Sequence, residues 1–156
     1  MTTTSNVGTL PVKLFFKRIS ADAKLPAKQH SNDAGYDVTS TEAVTLFPGI
    51  PTLVPLGIAI ATSEIKQHFF IKIESRSGLA VKGVSAIGGV VDSGYRGEIK
   101  AILINHSDQA VNLEKGARVA QLVVYPIINV VAAEVFESQP SEETTRGAGG
   151  FGSTGL

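Results

Sequence analysis

The sequence contains no cysteine, which removes disulfides, thiolate nucleophiles and Cys-based zinc sites from consideration. A reducing compartment is compatible with that. It has no apolar run approaching the roughly 18 residues that a membrane-spanning helix needs. It has no surplus of charge either: 14 Lys and Arg balance 14 Asp and Glu, for a formal net charge of zero. Such a chain is not built to coat nucleic acid or an anionic membrane. Any polyanion it handles must therefore be met by a few local cations or by a metal ion. Met1 to Gly8 lacks the basic and then apolar succession of a secretory signal and reads as a short mobile arm. An intracellular protein, cytoplasmic or nuclear, is expected, with neither a nucleic-acid nor a membrane partner. His30, His68 and His106 lack metal-site spacing, no His-Glu-x-x-His occurs, and the Gly-rich end lacks the Gly-Lys-Ser/Thr close of a P-loop. Asn105-His106-Ser107 matches the glycosylation tripeptide, a pattern common by chance.

What is present is apolar material in short pieces. Hydrophobic residues make up 43% of 156 residues, enough for one packed domain with little room for a second. Candidate strands rich in Val, Ile and Phe are Val12–Phe16, Val44–Leu46, Leu53–Val54, Ile58–Ala61, Phe69–Ile73, Ile99–Ile104, Val119–Tyr125 and Val130–Phe136. Turn signals separate them, among them Asn32-Asp33, Pro48-Gly49, Leu56-Gly57, Asp92-Ser93-Gly94 and Lys115-Gly116. Only Ser77 to Lys82 could hold a short helix. Regularly spaced short strands predict an all-β sandwich or barrel. From Ser138 the chain turns polar and acidic and then Gly-rich. The end is either a flexible terminus or an arm that orders over a ligand, since Arg146, Phe151, Ser153 and Thr154 stand among its glycines.

Several segments carry residues suited to chemistry. Arg76-Ser77-Gly78 lies between a strand and the possible helix, where a guanidinium, a hydroxyl and exposed N–H groups would suit phosphate oxygens. The same residues suit an ordinary turn with Ser77 as N-cap. Asp92 to Glu98 reads as a β-hairpin whose turn carries a carboxylate and Tyr95, although Asp is also a good turn former. Asp33-Ala34-Gly35-Tyr36-Asp37 offers a carboxylate for a hard cation such as magnesium, or another turn. Arg118 and Gln121 are three apart, which on a strand puts them on opposite faces unless a bend or bulge intervenes.

In order, these segments resemble the five motifs of the trimeric dUTP pyrophosphatase family. They are Asp33 to Val38, Arg76 to Ala80, Gly89 to Glu98, Gly116 to Leu122 and Arg146 to Gly155. The resemblance covers nearly the whole chain after the N-terminal arm. It implies a distorted β-jelly roll with at most one short helix, assembled as a homotrimer. The implied layout is an arm over residues 1–8, a β-domain over 9–137, and a flexible arm carrying the fifth motif over 138–156.

The implied reaction is hydrolysis of dUTP to dUMP and pyrophosphate with magnesium. It would limit uracil incorporation into DNA and supply dUMP for thymidylate synthesis. Asp92 would be the general base that activates water for attack at the α-phosphorus; carboxylates are ionised at neutral pH. Asp37 would reach magnesium through water. Arg76, Ser77, Gly78 and Gln121 would donate to the phosphates, and Arg118 would help fix that pocket. Tyr95 would pack on the deoxyribose and leave no room for a 2′-hydroxyl. Backbone groups around Gly89 and Lys100 would pair with the edge of uracil. Phe151 would stack on the base, while Arg146, Gly152, Ser153 and Thr154 would hold phosphates. Each site would draw on three subunits.

The chain departs from the family pattern at Ser75, where proline is usual, at Glu74, which adds negative charge near the phosphates, and at Ile71, where glycine is expected. Competing expectations are a dCTP deaminase-like enzyme, which would need a catalytic Glu, and a catalytically silent trimer that binds nucleotide or a protein partner.

Overall fold

The computed structural model describes residues 12–66, 68–136, 144, 145, 147 and 149. The chain runs through β1 (Leu14–Arg18), β2 (Tyr36–Thr39), β3 (Val44–Leu46), β4 (Thr52–Ser63), β5 (Phe69–Glu74), α1 (Ser77–Ala80), β6 (Val84–Ala86), β7 (Val90–Asp92), β8 (Ile99–Asn105), β9 (Val111–Leu113) and β10 (Arg118–Pro126). Two four-stranded sheets form, ordered β1-β4-β8-β6 and β2-β10-β5-β7, together with a two-stranded ribbon, β3-β9. All of these strand pairs are antiparallel. This is the expected all-β jelly roll with one short helix.

The period of two along the strands explains the layering. On β5, Phe69, Ile71 and Ile73 are buried while Phe70, Lys72 and Glu74 are partly exposed. On β8, Ile99, Ala101 and Leu103 point inward in the same way. These residues join Val54, Leu56, Ile58 and Ile60 of β4, and Val119 and Leu122 of β10, in one cluster between the sheets. Each fully buried Ile or Leu there contributes about 1.5–3 kcal/mol relative to an exposed one. Ile71, which stands where glycine was expected, is fully buried in this core. On the outer face of the second sheet Phe70 stacks on Tyr125, with ring centroids 5.2 Å apart.

Three expectations are corrected. Leu53–Val54 and Ile58–Ala61 belong to one strand, β4, and Leu56-Gly57 is not a turn between two. The pairing with β8 slips between Pro55 and Ile58, so Leu56 and Gly57 form a bulge inside a continuous strand. Gly57 takes φ +65 there, and a Cβ would lie 2.9 Å from the Cβ atoms of Ala23 and Ser20. Positive φ within a strand reads as a turn in sequence, although here it marks a kink. Val130–Phe136 forms no strand with the described residues, and Val130, Val131, Val135 and Phe136 are exposed. Apolar β-formers make a strand only against a partner ladder. Thirdly, Asp92 to Glu98 is not a hairpin turn, because β7 pairs with β5 in one sheet and β8 with β4 and β6 in the other. The intervening residues cross between sheets.

The four short strands β2, β6, β7 and β9 were not marked in the sequence. Asn105 is fully buried at the end of β8. Its Nδ2 donates to the carbonyls of Leu46 (3.0 Å) and Gln109 (2.7 Å), and its Oδ1 accepts from the amide and hydroxyl of Ser107. A side chain enclosed this way organises the β8–β9 loop and has no atom to offer a glycan.

Candidate active site

Two separate clefts collect most of the residues picked out in the sequence. The first, of about 380 Å³, is lined by Gln29, His30, Asp33, Ala34, Gly35, Asp37, Arg76, Ser77 and Gln121. Its centre is Asp37 on β2. The Asp37 carboxylate accepts Nε of Arg76 at 2.8 Å and Nη1 of Arg118 at 3.0 Å. The Asp37 side chain is only 14% exposed, so these bonds are less screened than surface pairs. Hydrogen bonds to charged groups contribute about 1.5–3 kcal/mol each. Arg76 also donates through Nη1 to the carbonyl of Arg118, at 3.2 Å. Asp37 thereby fixes two guanidinium groups at one end of the cleft.

The question left by the spacing of Arg118 and Gln121 has a plain answer. The β10–β2 register slips between Arg118 and Ala120. This bulge turns Arg118 to the side where Gln121 lies opposite Asp37. Nε2 of Gln121 donates to the carbonyl of Ser75 at 2.9 Å. Gly35 makes room for it, since a Cβ there would lie 2.8 Å from Cδ of Gln121.

Ser77 is not the N-cap of α1. Arg76 holds that position, with no side-chain cap, and Ser77 is the first helical residue. Ser77 and Gly78 are exposed, and nothing lies within 4 Å of where a Cβ on Gly78 would stand. Ser75, in place of the usual proline, has its own anchoring: its Oγ accepts the amide of Ala86 at 2.9 Å. The rigidity a ring would give is supplied by a cross-strand bond. The charge of Glu74 is answered by Lys72 at 2.8 Å. The Lys72 ammonium is held above its usual pKa, first by that hydrogen bond and then by the carboxylate charge.

The second cleft, of about 500 Å³, is lined by Leu53, Ile73, Gly89, Val90, Val91, Asp92, Tyr95, Glu98, Ile99, Lys100 and Ile102. Asp92 closes β7, opposite Phe70 of β5, and is exposed. Its carbonyl accepts the amide of Tyr95 at 2.9 Å, which makes the turn. Arg96 locks the turn from within by donating to the carbonyls of Ser93 (2.8 Å) and Tyr95 (3.0 Å). The Tyr95 ring lies over Gly97, where a Cβ would come within 2.6 Å of Cζ. Gly89 has φ +85, and a Cβ there would lie 2.9 Å from Cβ of Ile73. Its carbonyl accepts the amide of Ile73 at 2.8 Å. Lys100 pairs with Glu98 at 3.4 Å.

The two clefts share no lining residue among those described. Arg146, Phe151, Gly152, Ser153 and Thr154 lie outside the described residues. Sequence reasoning missed the partners that hold the site from behind: Ser75, Glu98 and Gly57. It also gave His30 no role in a site, although it lines the first cleft.

Magnesium can be tested against the donors present. Both oxygens of Asp37 accept an arginine N–H, but a carboxylate oxygen has a second lone pair. Among the described residues no group of three or more His, Asp or Glu could hold a metal ion. This set fits an ion that keeps its waters and meets one carboxylate plus substrate phosphates, rather than an all-protein cage.

The protein is thus an antiparallel jelly roll with an arginine-bearing cleft and a separate Gly- and Tyr-lined cleft. Comparison narrows the class: the dUTPase family model matches residues 21–155, and the chain belongs to that family. It is 44% identical over 147 residues to a deoxyuridine 5'-triphosphate nucleotidohydrolase of Nautilia profundicola, covering 92% of this chain and 99% of that one. A Clostridium tetani protein of the same name is 45% identical over 150 residues, covering 94% and 97%. Among solved structures, Staphylococcus bacteriophage 80alpha dUTPase with dUPNHPP superposes with a TM-score of 0.81 at 28% identity, covering 92% and 99%. A phage phi11 dUTPase variant described as coordinating a structural Mg(II) ion gives a TM-score of 0.71 at 25% identity, covering 81% of this chain and 99% of that one.

Proposed function

We infer that the protein hydrolyses dUTP to dUMP and pyrophosphate, limiting uracil incorporation into DNA and supplying dUMP for thymidylate synthesis. Family membership over nearly the full length supports this activity. The observation that carries the site assignment is the division of the residues into two clefts with no common lining. Arg76, Ser77 and Gln121, read as phosphate-binding, line one, and Asp92, Gly89 and Lys100, read as the general base and the uracil edge, line the other. A triphosphate and its nucleoside then need a cleft of each kind from different copies, which favours a homotrimer whose sites are shared between subunits.

In this reading Asp92 takes a proton from water as the water oxygen bonds to the α-phosphorus. The bond from that phosphorus to the bridging oxygen breaks, and pyrophosphate departs. Arg76, Ser77, Gly78 and Gln121 bind the phosphates, with Arg118 orienting Asp37. Tyr95 packs on the deoxyribose, and the backbone at Gly89 and Lys100 reads uracil. Asp37 would hold magnesium through water, and the bound ion would neutralise triphosphate charge. The arm over residues 138–156 would close the site, Phe151 stacking on the base and Arg146, Gly152, Ser153 and Thr154 gripping phosphates. On the same reading residues 1–8 would be an N-terminal arm ahead of a β-domain over 9–137. No helix among the described residues is long and apolar enough to cross a membrane. The reaction belongs to the deoxynucleotide pool of the cytoplasm or nucleus.

The deciding experiment incubates pure protein with magnesium and either dUTP or dCTP while assaying pyrophosphate and ammonia. Pyrophosphate from dUTP alone is expected. Ammonia from dCTP would install the deaminase reading, and silence on both would leave a binding trimer.

A further inference from the structure

We propose that Glu98 is a positioning residue for nucleoside selectivity, tying Tyr95 and Lys100 to the kink in β4. The inference rests on the dUTP site proposed above. The kink leaves a backbone donor to satisfy: Gly57 is buried in the bulge, out of register with β8. A buried amide left unmet is destabilising, because it gives up its bond to water and gains none in return. Glu98 meets it, with Oε1 accepting the Gly57 N–H at 3.1 Å, while Oε2 faces Lys100 Nζ at 3.4 Å.

Gly57 is a fixed anchor. Its carbonyl accepts the amide of Ile19 at 2.8 Å. Ser20, Ala23 and Thr41 close the space where a Cβ would stand. On its other side Glu98 offers its own carbonyl to the Tyr95 hydroxyl, at 3.2 Å. One residue therefore links the buried kink to the half-exposed ring that faces the sugar. The bonds made by Arg96 are internal to the segment and stiffen the turn without attaching it to the domain. The Glu98 carboxylate supplies that attachment across 41 positions of sequence.

The test measures kcat and KM for dUTP and UTP, with hydrogen exchange at the Gly57 amide, in wild type, Glu98→Gln and Glu98→Ala. Wild type should prefer dUTP strongly; if it does not, the proposed function itself fails. In Glu98→Ala, KM for dUTP should rise about tenfold with kcat within about threefold, and the preference over UTP should fall by about tenfold. Gly57 exchange should quicken. Glu98→Gln keeps an acceptor for Gly57 and should recover most of the selectivity. A dUTP-to-UTP ratio unchanged in Glu98→Ala, with only its melting temperature lowered, would reduce Glu98 to a structural residue and overturn the proposal. Glu98→Gln as impaired as Glu98→Ala would also overturn it. Should Glu98→Ala not fold, Glu98→Asp draws the carboxylate back by one methylene. It should lose about threefold in selectivity, and wild-type selectivity there would refute the idea.

Discussion

The two clefts are built on different physics. The one around Asp37 is made of long charged side chains, and it holds them by internal pairing: one carboxylate grips Arg76 and Arg118. The one around Asp92 is made largely of backbone and wall. Its shape comes from glycines at 89 and 97, a turn closed on the Asp92 carbonyl, and a ring laid over Gly97. A site for phosphates can be assembled from flexible cations provided that something orders them beforehand. A site that tells one nucleoside from another needs surfaces that do not give way, and Gly89 and Gly97 let backbone and ring pack closely there.

Four substitutions would break or sharpen this contrast. The largest effect should come from Asp92→Asn, which removes the carboxylate assigned to the chemistry in the shape-based cleft. Turnover should fall by at least ~100-fold while assembly and dUTP affinity stay near wild type. Near-normal turnover would remove Asp92 from the chemistry. Asp37→Asn should be next. It keeps one acceptor oxygen, turns an NH2 donor toward the second arginine and loses the charge that orders both, so KM for dUTP should rise by ~10-fold or more. If KM is unmoved, the arginines do not need ordering.

Gly97→Ala strikes the other cleft without touching a charge. The methyl displaces the Tyr95 ring, and kcat/KM for UTP should gain on that for dUTP by about 3- to 10-fold. An unchanged ratio would mean the ring does not define the sugar pocket. Lys72→Met should matter least. Lys72 gains its partner Glu74 only in the folded chain, so its folded pKa stands above the unfolded value. The pair's contribution is complete below the ordinary lysine range and fades as pH rises through the raised pKa. Thermal scans should show the variant within about 2 °C of wild type at pH 7, with the difference closing in strong alkali. A large gap at pH 7 would give this exposed pair a weight the contrast denies it.

Much of this was legible in the sequence, and the exceptions have reasons. β3, β5, β8 and β10 stood out because Val, Ile, Leu and Phe recur densely through them. The motif residues Asp37, Arg76, Arg118 and Gln121 were legible as a set, and the side chains do meet. That Arg118 and Gln121 share one face of β10 depended on a bulge, which no spacing rule marks. Gly57 misled because positive φ in a strand and in a turn ask for the same residue. The crossing from β7 to β8 looked like a hairpin because a short polar segment joins two strands in both cases. What differs is the partner of each strand, which is information held elsewhere in the chain. Val130–Phe136 failed for the same reason. The supporting bonds of Glu98 and Ser75 were not legible, because their partners, Gly57 and Ala86, are distant in sequence.

The crossing of Ser93 to Glu98 from one sheet to the other has a thermodynamic consequence. A ligand seated there touches a segment whose two ends belong to different sheets, so it finds its full site only while the sheets remain packed. Occupancy is therefore linked to global unfolding rather than to local fraying. At a ligand concentration a hundredfold above its dissociation constant, such linkage adds about 2.7 kcal/mol to the folded state. The protein should act as its own reporter: its melting temperature should climb with the logarithm of free nucleotide once that exceeds the dissociation constant, and the concentration at which the climb begins would give the affinity without any turnover being measured.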